Sequence, residues 1–319
     1  MIRGRGDRLK NRLYAALAFC LLIVFCFRSA EVAEGARIAL ELCASSLLPS
    51  LFPFFALSIL LSRIGAVQRL GRRIAPAAEK LFGVSGAGAA VLPVGLLGGY
   101  PLGAAAVAEL CGQRAIGRRE AEHLLLFVNN SGPAFLIGAI GGGVFASRSA
   151  GAILYASHLL SALFVGVLFR FRSGSAGTAP KELPSGERFS AAFSKAVGQA
   201  VSAVLNVCGF AVLFSVLCGL FVRPLLNAVP DSCLPQASVA ALGFFEIGGA
   251  VGAMRGLQPT PAHLALASAV VGWGGLSVHC QTAALFAELE LSLKKHLLGR
   301  LLSGALSAAI TFALASCFF

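Results

Sequence analysis

Two short polar segments interrupt otherwise apolar stretches of the sequence, and they are the places where chemistry could occur. Both hold amides or hydroxyls close to glycine: Asn129, Asn130 and Ser131 in the first, and Ser277, His279 and Gln281 in the second. Such side chains, with freed backbone N–H groups, can bind a polar or anionic solute, because a helix N-terminus carries partial positive charge. The competing interpretation is that they only hydrogen-bond neighbouring helices. We favour a site for the first segment, and the two interpretations weigh equally for the second.

Glu246 is the single acidic residue of the apolar segment 234–256. A carboxylate at membrane depth is costly unless it is paired, protonated or hydrated, so such a residue is a functional candidate. We expect it to be a proton-coupling group. Coordination of a cation is the second option, and a carboxylate that faces water at a hairpin tip is the third.

The composition places these residues in a membrane. Of the 319 residues, 57% are hydrophobic and 13% are charged, whereas soluble domains average about 45–50% apolar and about 25% charged residues. A soluble enzyme and a disordered chain are therefore both excluded. The net charge of +12 comes from 26 basic and 14 acidic residues. The basic residues form short runs between apolar segments, which indicates positive-inside topology rather than nucleic-acid binding.

No motif for catalysis or metal binding is present. The sequence has no G-x-x-x-x-G-K-[ST], G-x-S-x-G or H-E-x-x-H string, and its nine cysteines include no C-x-x-C pair. We interpret the cysteines as buried apolar residues. We therefore expect no enzyme, no cofactor, no metal ion and no ATP-driven transport by this chain alone.

The apolar segments predict an all-α polytopic membrane protein. Residues 1–40 form a basic segment, a first transmembrane helix and the start of an amphipathic interfacial stretch (31–47). The first repeat (41–170) then has a crossing at 47–62, an apolar segment at 82–112, an interrupted crossing at 123–146 and a crossing at 150–169. Gly95–Ala104 divides segment 82–112 into arms of about 13–15 residues, too short to span about 30 Å of hydrocarbon, which predicts a re-entrant hairpin. A cytoplasmic linker follows at 171–195.

The second repeat (196–319) shows the same order of segments. It has a crossing at 196–222, a short segment at 234–256, a crossing at 262–288 interrupted at Gly272–His279, and a crossing at 297–319. The two repeats begin with crossings in opposite directions, which predicts an inverted-topology repeat with two re-entrant helical hairpins and two broken transmembrane helices. Irregular backbone is tolerated at membrane depth only inside protein or beside a watery cavity, so the breaks should meet at one site.

Charge predicts the orientation and the chemistry of that site. With the N-terminus cytoplasmic, Lys294, Lys295 and Arg300 fall on the cytoplasmic side with most other basic residues. No Lys or Arg falls within the predicted core, so solute affinity should come from helix N-termini, amides and hydroxyls. The sequence leaves open the oligomeric state, including a homo-oligomer, and whether the first apolar segment is cleaved.

Four strings resemble a known family. They are SLLPSLFPFFALSILLS (46–62), GLLGGYPLGA (95–104), LLLFVNNSGPAFLIGAIG (124–141) and WGGLSVHCQ (273–281). They are similar to the sporulation integral membrane proteins of the YlbJ type, which belong to the nucleoside recognition or Gate-domain membrane proteins, relatives of the concentrative nucleoside transporters. The resemblance covers residues 40–319 approximately.

The resemblance implies a multi-pass protein of the outer forespore membrane of an endospore-forming bacterium, which moves dipicolinic acid during spore formation. It implies that Tyr100 lines the solute path together with the polar residues above. A Thr-Asn pair follows the hairpin glutamate in the family pattern, whereas Ile247 and Gly248 follow Glu246 here. The solute and the coupling ion therefore stay open. A nucleoside or other small-solute carrier, and a non-transporting scaffold or sensor of the spore envelope, are the alternatives.

Overall fold

The computed structural model of the chain describes residues 3–170, 187–289 and 291–319. Most of the predicted linker 171–195 lies outside these residues. The described residues form helices and connecting turns, which we number in chain order. They are α1 (Arg3–Phe27), α2 (Ser29–Arg63), α3 (Ala66–Phe82), α4 (Gly86–Gly98), α5 (Leu102–Gly112), α6 (Arg118–Leu124), α7 (Ala134–Gly142), α8 (Arg148–Leu168), α9 (Phe189–Leu226), α10 (Leu234–Phe245), α11 (Ile247–Met254), α12 (Pro261–Trp273), α13 (Gly275–Phe286) and α14 (Lys294–Ala315).

Six helical stretches of the described chain are long and apolar enough to cross a membrane. They are Lys10–Phe27 within α1, then α2, α8, α9, α12 with α13, and α14. A helix rises 1.5 Å per residue, so each of these stretches can cover most or all of a hydrocarbon layer of about 30 Å. The predicted all-α, multi-pass membrane architecture is therefore confirmed.

The predicted crossing 123–146 has a different form from the other crossings. It consists of two short helices, α6 and α7, separated by the non-helical residues 125–132. Pro133 disfavours helical backbone in the residue before it, and α7 begins just after this proline. The break predicted at 129–133 is present and extends further toward the N-terminus.

Residues 31–47 also differ from the prediction of a separate interfacial stretch. They continue into the next crossing without a break and form α2, with π-type winding at Cys43–Leu47. This part of α2 packs against α9, where the Ser215 hydroxyl donates a hydrogen bond of 2.9 Å to the carbonyl oxygen of Gly35.

Two helix pairs form tight turns at the predicted hairpin positions. Helices α4 and α5 pack on each other and are joined by Gly99-Tyr100-Pro101, while α10 and α11 pack on each other and are joined at Glu246. Helix α4 also bends away from α3 by 106°. The inverted repeat and the re-entry of these hairpins into a membrane remain predictions.

Helices α8 and α14 support the two broken helices. They pack against each other, α8 contacts α7, and α14 contacts α12. The contact between α14 and α12 is close because both helices carry glycine there: a Cβ on Gly272 would lie 2.5 Å from the Cα of Gly304. Buried apolar residues such as Phe55, Leu136 and Met254 form a core around the junction of these elements.

Candidate functional site

A small cavity lies where the two hairpin turns meet the two helix breaks. Its volume is about 40 Å³, which is room for about three water molecules. Its polar lining comes from Tyr100 in the first turn, Ser131 in the first break and Glu246 in the second turn. Ser277 and Gln281 complete it from the first two turns of α13, which begins directly after the second break at Gly274. The structure thus brings five of the eight candidate residues together.

Glycine holds each hairpin turn against the break of its own half. Gly99 has a φ of +83°, and a Cβ on it would lie 2.9 Å from the backbone nitrogen of Gly132. Gly275 has a φ of +76°, and a Cβ on it would lie 3.1 Å from the carbonyl oxygen of Phe245. Glycine tolerates positive φ and allows two backbones to approach closely. These positions therefore fix the walls of the cavity.

Three of the lining residues have a buried polar atom that finds no hydrogen-bond partner within residues 3–170, 187–289 and 291–319. The atoms are the hydroxyl oxygens of Tyr100 and Ser131 and the side-chain oxygen of Gln281. The hydroxyls of Tyr100 and Ser131 are near each other without meeting hydrogen-bond geometry, and the Gln281 amide donates a long hydrogen bond of 3.4 Å to the Ser277 hydroxyl. An unpaired buried polar group is costly, so a cluster of three indicates a binding place for water or a polar ligand.

Glu246 closes the cavity on one side. It is 6% exposed, and its Oε2 accepts a hydrogen bond of 2.6 Å from the backbone N–H of Gly249 in the first turn of α11. No ion pair between described residues involves it. The carboxyl group is therefore stabilised by a helix N-terminus rather than by a basic side chain.

Asn129 and Asn130 do not line the cavity. Asn129 accepts a hydrogen bond of 3.3 Å from the backbone N–H of Ala104 and donates one of 3.1 Å to the Thr282 hydroxyl. Asn130 donates a hydrogen bond of 2.6 Å to the carbonyl oxygen of Phe127. Both amides thus bind neighbouring protein groups, and Asn129 joins the first half to α13 of the second.

His279 lies behind the cavity wall rather than in it. Its Nδ1 lies 3.1 Å from Nε2 of His296, and its ring centre lies 4.3 Å from that of Trp273. Nδ1 of His296 lies 3.2 Å from the carbonyl oxygen of Leu125 in the first break. The two histidines therefore connect the second break to the first.

A buried arginine corrects the prediction that no Lys or Arg falls within the core. Arg300, predicted to lie with the cytoplasmic residues, is 2% exposed. Its Nε donates a hydrogen bond of 3.0 Å to the carbonyl oxygen of Gly272. Its Nη1 donates to Asn130 Oδ1 at 2.9 Å and to the carbonyl oxygen of Asn129. One guanidinium group therefore binds the backbone of both helix breaks.

A polar stripe on α14 is the sequence signal that could have revealed Arg300. The buried polar residues of this helix recur every three or four positions, and they are His296, Arg300, Ser303, Ser307 and Thr311. Such spacing places them on one helix face. Helix α8 carries a shorter stripe, and its buried His158 accepts a hydrogen bond of 3.0 Å from the backbone N–H of Ser131. Sequence reasoning missed both stripes.

Two larger clefts flank the cavity at opposite ends of α2 and α9. The Glu246 cleft has a volume of about 1070 Å³ and is lined by residues including Glu41, Arg223, Glu246 and Arg255. The Glu187 cleft has a volume of about 450 Å³ and is lined by residues including Ser58, Arg63, Glu187 and Gln199. The α2 residues that line one cleft are centred about 19 positions from the α2 residues that line the other, which is about 25–30 Å along the helix. Glu246 and Gly248 line both the central cavity and the Glu246 cleft.

Charged residues hold together the lining of the Glu187 cleft. Glu187 binds Arg63 through a carboxylate oxygen and Lys195 at 2.9 Å through the other. Its backbone N–H donates a hydrogen bond of 2.9 Å to the carbonyl oxygen of Arg63. Hydrogen bonding to Lys195, followed by the charges of Lys195 and Arg63, lowers the pKa of Glu187.

A comparison with curated proteins gives one clear relative. Over 315 aligned residues the chain is 29% identical to the sporulation integral membrane protein YlbJ of Bacillus subtilis (strain 168), and the match covers 88% of this chain and 77% of the relative. The resemblance to the YlbJ type is confirmed. No family model and no solved structure matches the chain.

The match to YlbJ extends over both halves of the chain, since at most about an eighth of its residues lie outside it. The chain is therefore a multi-pass membrane protein homologous to a sporulation membrane protein. The central cavity of this chain offers three hydroxyl groups, one side-chain amide and one carboxyl group, with a guanidinium group behind the wall. Such a set can hold a small polar species that both accepts and donates hydrogen bonds.

Proposed function

We propose that this protein is a secondary transporter for a small polar or anionic solute, with dipicolinate during spore formation as the first solute to test. The observation that carries the proposal is the central cavity. Unpartnered Tyr100, Ser131 and Gln281 atoms meet there, between clefts at opposite ends of the same two helices. A scaffold needs neither the cavity nor the clefts.

An inverted repeat accounts for this arrangement. In that architecture two re-entrant hairpins and two broken helices form one site near the midplane, and the solute reaches it alternately from either side. With the N-terminus in the cytoplasm, the Glu187 cleft opens to the cytoplasm and the Glu246 cleft opens to the opposite side. A volume of about 40 Å³ is far below the roughly 300 Å³ of the smaller organic ligand pockets. Transport therefore requires the hairpin turns to move apart.

Glu246 is the proposed coupling group. It belongs to the central cavity and to the Glu246 cleft at once, and it has no basic partner among the described residues. A carboxyl group in such a place can take up a proton or a cation from one side and release it when the turn moves. Proton uptake here would offset part of the charge of an anionic solute.

The name of the relative supports a role in sporulation. YlbJ of B. subtilis is a sporulation integral membrane protein, and the outer forespore membrane is the proposed location of this chain. Dipicolinate is a planar dianion with four carboxylate oxygens and a ring nitrogen, so the donors of the cavity wall suit it. A nucleoside would use the same donors, which makes uridine the competing solute.

The proposal is tested by uptake into vesicles that contain the purified protein. We expect saturable uptake of labelled dipicolinate that excess unlabelled dipicolinate blocks and uridine does not. Ser131→Ala and Ser303→Ala form a matched pair, since both hydroxyls are buried and unpartnered but only Ser131 lines the cavity. We expect Ser131→Ala to weaken uptake and Ser303→Ala to leave it intact. Equal effects of the two variants, or no uptake by the unaltered protein, would refute the proposal.

A non-transporting scaffold or sensor of the spore envelope is the second candidate. It is favoured by the amides of Asn129 and Asn130, which bind protein groups rather than face the cavity. If the scaffold is correct, Ser131→Ala and Glu246→Gln will support normal spore formation as long as the protein accumulates in the membrane.

A further inference from the structure

Arg300 is a buried cation whose hydrogen-bond partners are all uncharged. Its side chain binds two backbone carbonyl oxygens and one amide oxygen, contributed by Asn129, Asn130 and Gly272. Its Nη2 atom is buried and has no hydrogen-bond partner among the residues that the structure describes. Guanidinium groups usually pair with carboxylates or phosphates, and here the two N–H donors of Nη2 remain available.

No counter-ion for Arg300 is present among the described residues, because none of the ion pairs between them includes it. The acid of the central cavity, Glu246, is held instead by the N-terminus of α11. Burying a charge without a compensating one is strongly unfavourable. A buried charge of this kind in a membrane protein is a candidate for function.

Arg300 lies one residue away from the wall of the central cavity. It binds Asn130, whose neighbour Ser131 forms part of the cavity wall. Tyr100, another wall residue, interacts electrostatically with Arg300 and also with Glu246. The cavity therefore lies close to a fixed positive charge and has an ionisable acid, Glu246, in its lining.

We propose that Arg300 is the specificity-determining residue that makes the central cavity select a solute with carboxylate groups over an uncharged solute of the same shape. This inference rests on the proposed transport function and deepens it. Arg300 acts from behind the wall: its Nε and Nη1 atoms hold the two breaks together, and its charge attracts the anion. The solute then serves as the counter-ion that the described part of the chain does not provide.

The test compares two compounds of similar shape, pyridine-2,6-dicarboxylate and its uncharged diamide, in vesicles containing the full chain. Arg300→Lys keeps the charge and loses the planar fork, whereas Arg300→Gln loses the charge and keeps an amide donor. We expect the unaltered protein and Arg300→Lys to prefer the dicarboxylate. We expect Arg300→Gln to reduce the ratio of dicarboxylate to diamide uptake by about tenfold or more, as removal of one nearby charge predicts.

Asn130→Asp provides a second variant if Arg300→Gln fails to fold. It has nearly the shape of the native residue and places a carboxylate against the guanidinium group 2.9 Å away. We expect it to reduce the preference for the dicarboxylate as strongly as Arg300→Gln, while the new ion pair is offset by the loss of the amide hydrogen bond to the carbonyl oxygen of Phe127. Asn130→Ala, which adds no charge, should keep the preference.

An unchanged uptake ratio in both Arg300→Gln and Asn130→Asp would overturn the inference and leave the transport proposal standing. An equal loss of the preference in Arg300→Lys and Arg300→Gln would also overturn it, because the fork and not the charge would then be what matters. Failure of the unaltered protein to move either compound would overturn both the inference and the proposed function.

Discussion

Replacing Gly99 by alanine should separate the first hairpin turn from the first helix break. Gly99 has a φ of +83° and a ψ of 171°, a region of backbone conformation that is almost exclusive to glycine. For alanine this conformation costs about 1–3 kcal/mol. A Cβ would also lie 2.9 Å from the backbone nitrogen of Gly132, and such overpacking against backbone costs about a further 1–3 kcal/mol. We therefore expect Gly99→Ala to lower the free energy of unfolding by about 2–6 kcal/mol.

Two other glycines separate these two contributions. Gly256 has a φ of +89° and nothing within 4 Å of an added Cβ, so Gly256→Ala measures the conformational cost alone. Gly138 lies in α7 and also has nothing within 4 Å. Because alanine favours helix more than glycine by about 1 kcal/mol, Gly138→Ala should leave the protein as stable as before or slightly more stable.

The single tryptophan of the chain provides the assay. Trp273 stacks on Phe244 with ring centres 5.6 Å apart and donates a hydrogen bond of 3.0 Å to the carbonyl oxygen of that residue. Its fluorescence therefore reports the second turn and break during denaturant titration in mixed micelles. From the most to the least stable variant, we expect the order Gly138→Ala, Gly256→Ala and Gly99→Ala. A Gly99→Ala protein as stable as Gly256→Ala would refute the close approach of the first turn to the first break.

Three further predictions concern the polar groups. Glu246→Gln should keep the thermal stability of the unaltered protein, because an amide oxygen can still accept the hydrogen bond from the N-terminus of α11. Its uptake should no longer depend on pH. An unchanged pH profile of uptake would argue against coupling at this residue. Asn129→Ala and Thr282→Val should each destabilise the protein, and a double-mutant cycle of unfolding free energies should give a coupling of about 0.6–1.7 kcal/mol; additive effects would contradict the hydrogen bond. Glu187 has a lowered pKa in the folded protein. Its contacts therefore stabilise the fold above the carboxyl pKa of the unfolded chain, and this stabilisation is lost as the pH falls through the folded-state pKa. In melting curves taken from pH 7 to pH 3, Glu187→Gln and Arg63→Gln should each remove part of the loss of stability in acid.

Much of the fold follows from local properties of the sequence. Hydropathy over windows of about twenty residues predicts the six long helices, since lipid requires every backbone polar group to be satisfied within the helix. The breaks follow from residue types, with Gly132 and Pro133 in the first and two left-handed glycines, Gly274 and Gly275, in the second. The hairpin turns at Tyr100 and Glu246 were predicted in the same way.

The direction of individual side chains could not be predicted in this way. Ser131 faces the cavity while its neighbours Asn129 and Asn130 bind protein groups, and Gln281 lines the cavity while His279 does not. The direction of each side chain depends on how its segment is rotated against neighbouring helices. Hydropathy does not record that rotation.

Arg300 shows most clearly how what the sequence determines differs from what only the tertiary structure decides. The sequence alone determined that this is an all-helical membrane protein and where its helices break, because apolar length, glycine and proline act locally. Only the tertiary structure decided that Arg300 belongs to the core. A basic residue six positions into a helix is typical of a membrane boundary by composition, yet the carbonyl oxygens left free at Asn129 and Gly272 provide the hydrogen bonds that keep it buried. Those acceptors come from breaks that are distant in sequence, and only folding brings them to one guanidinium group.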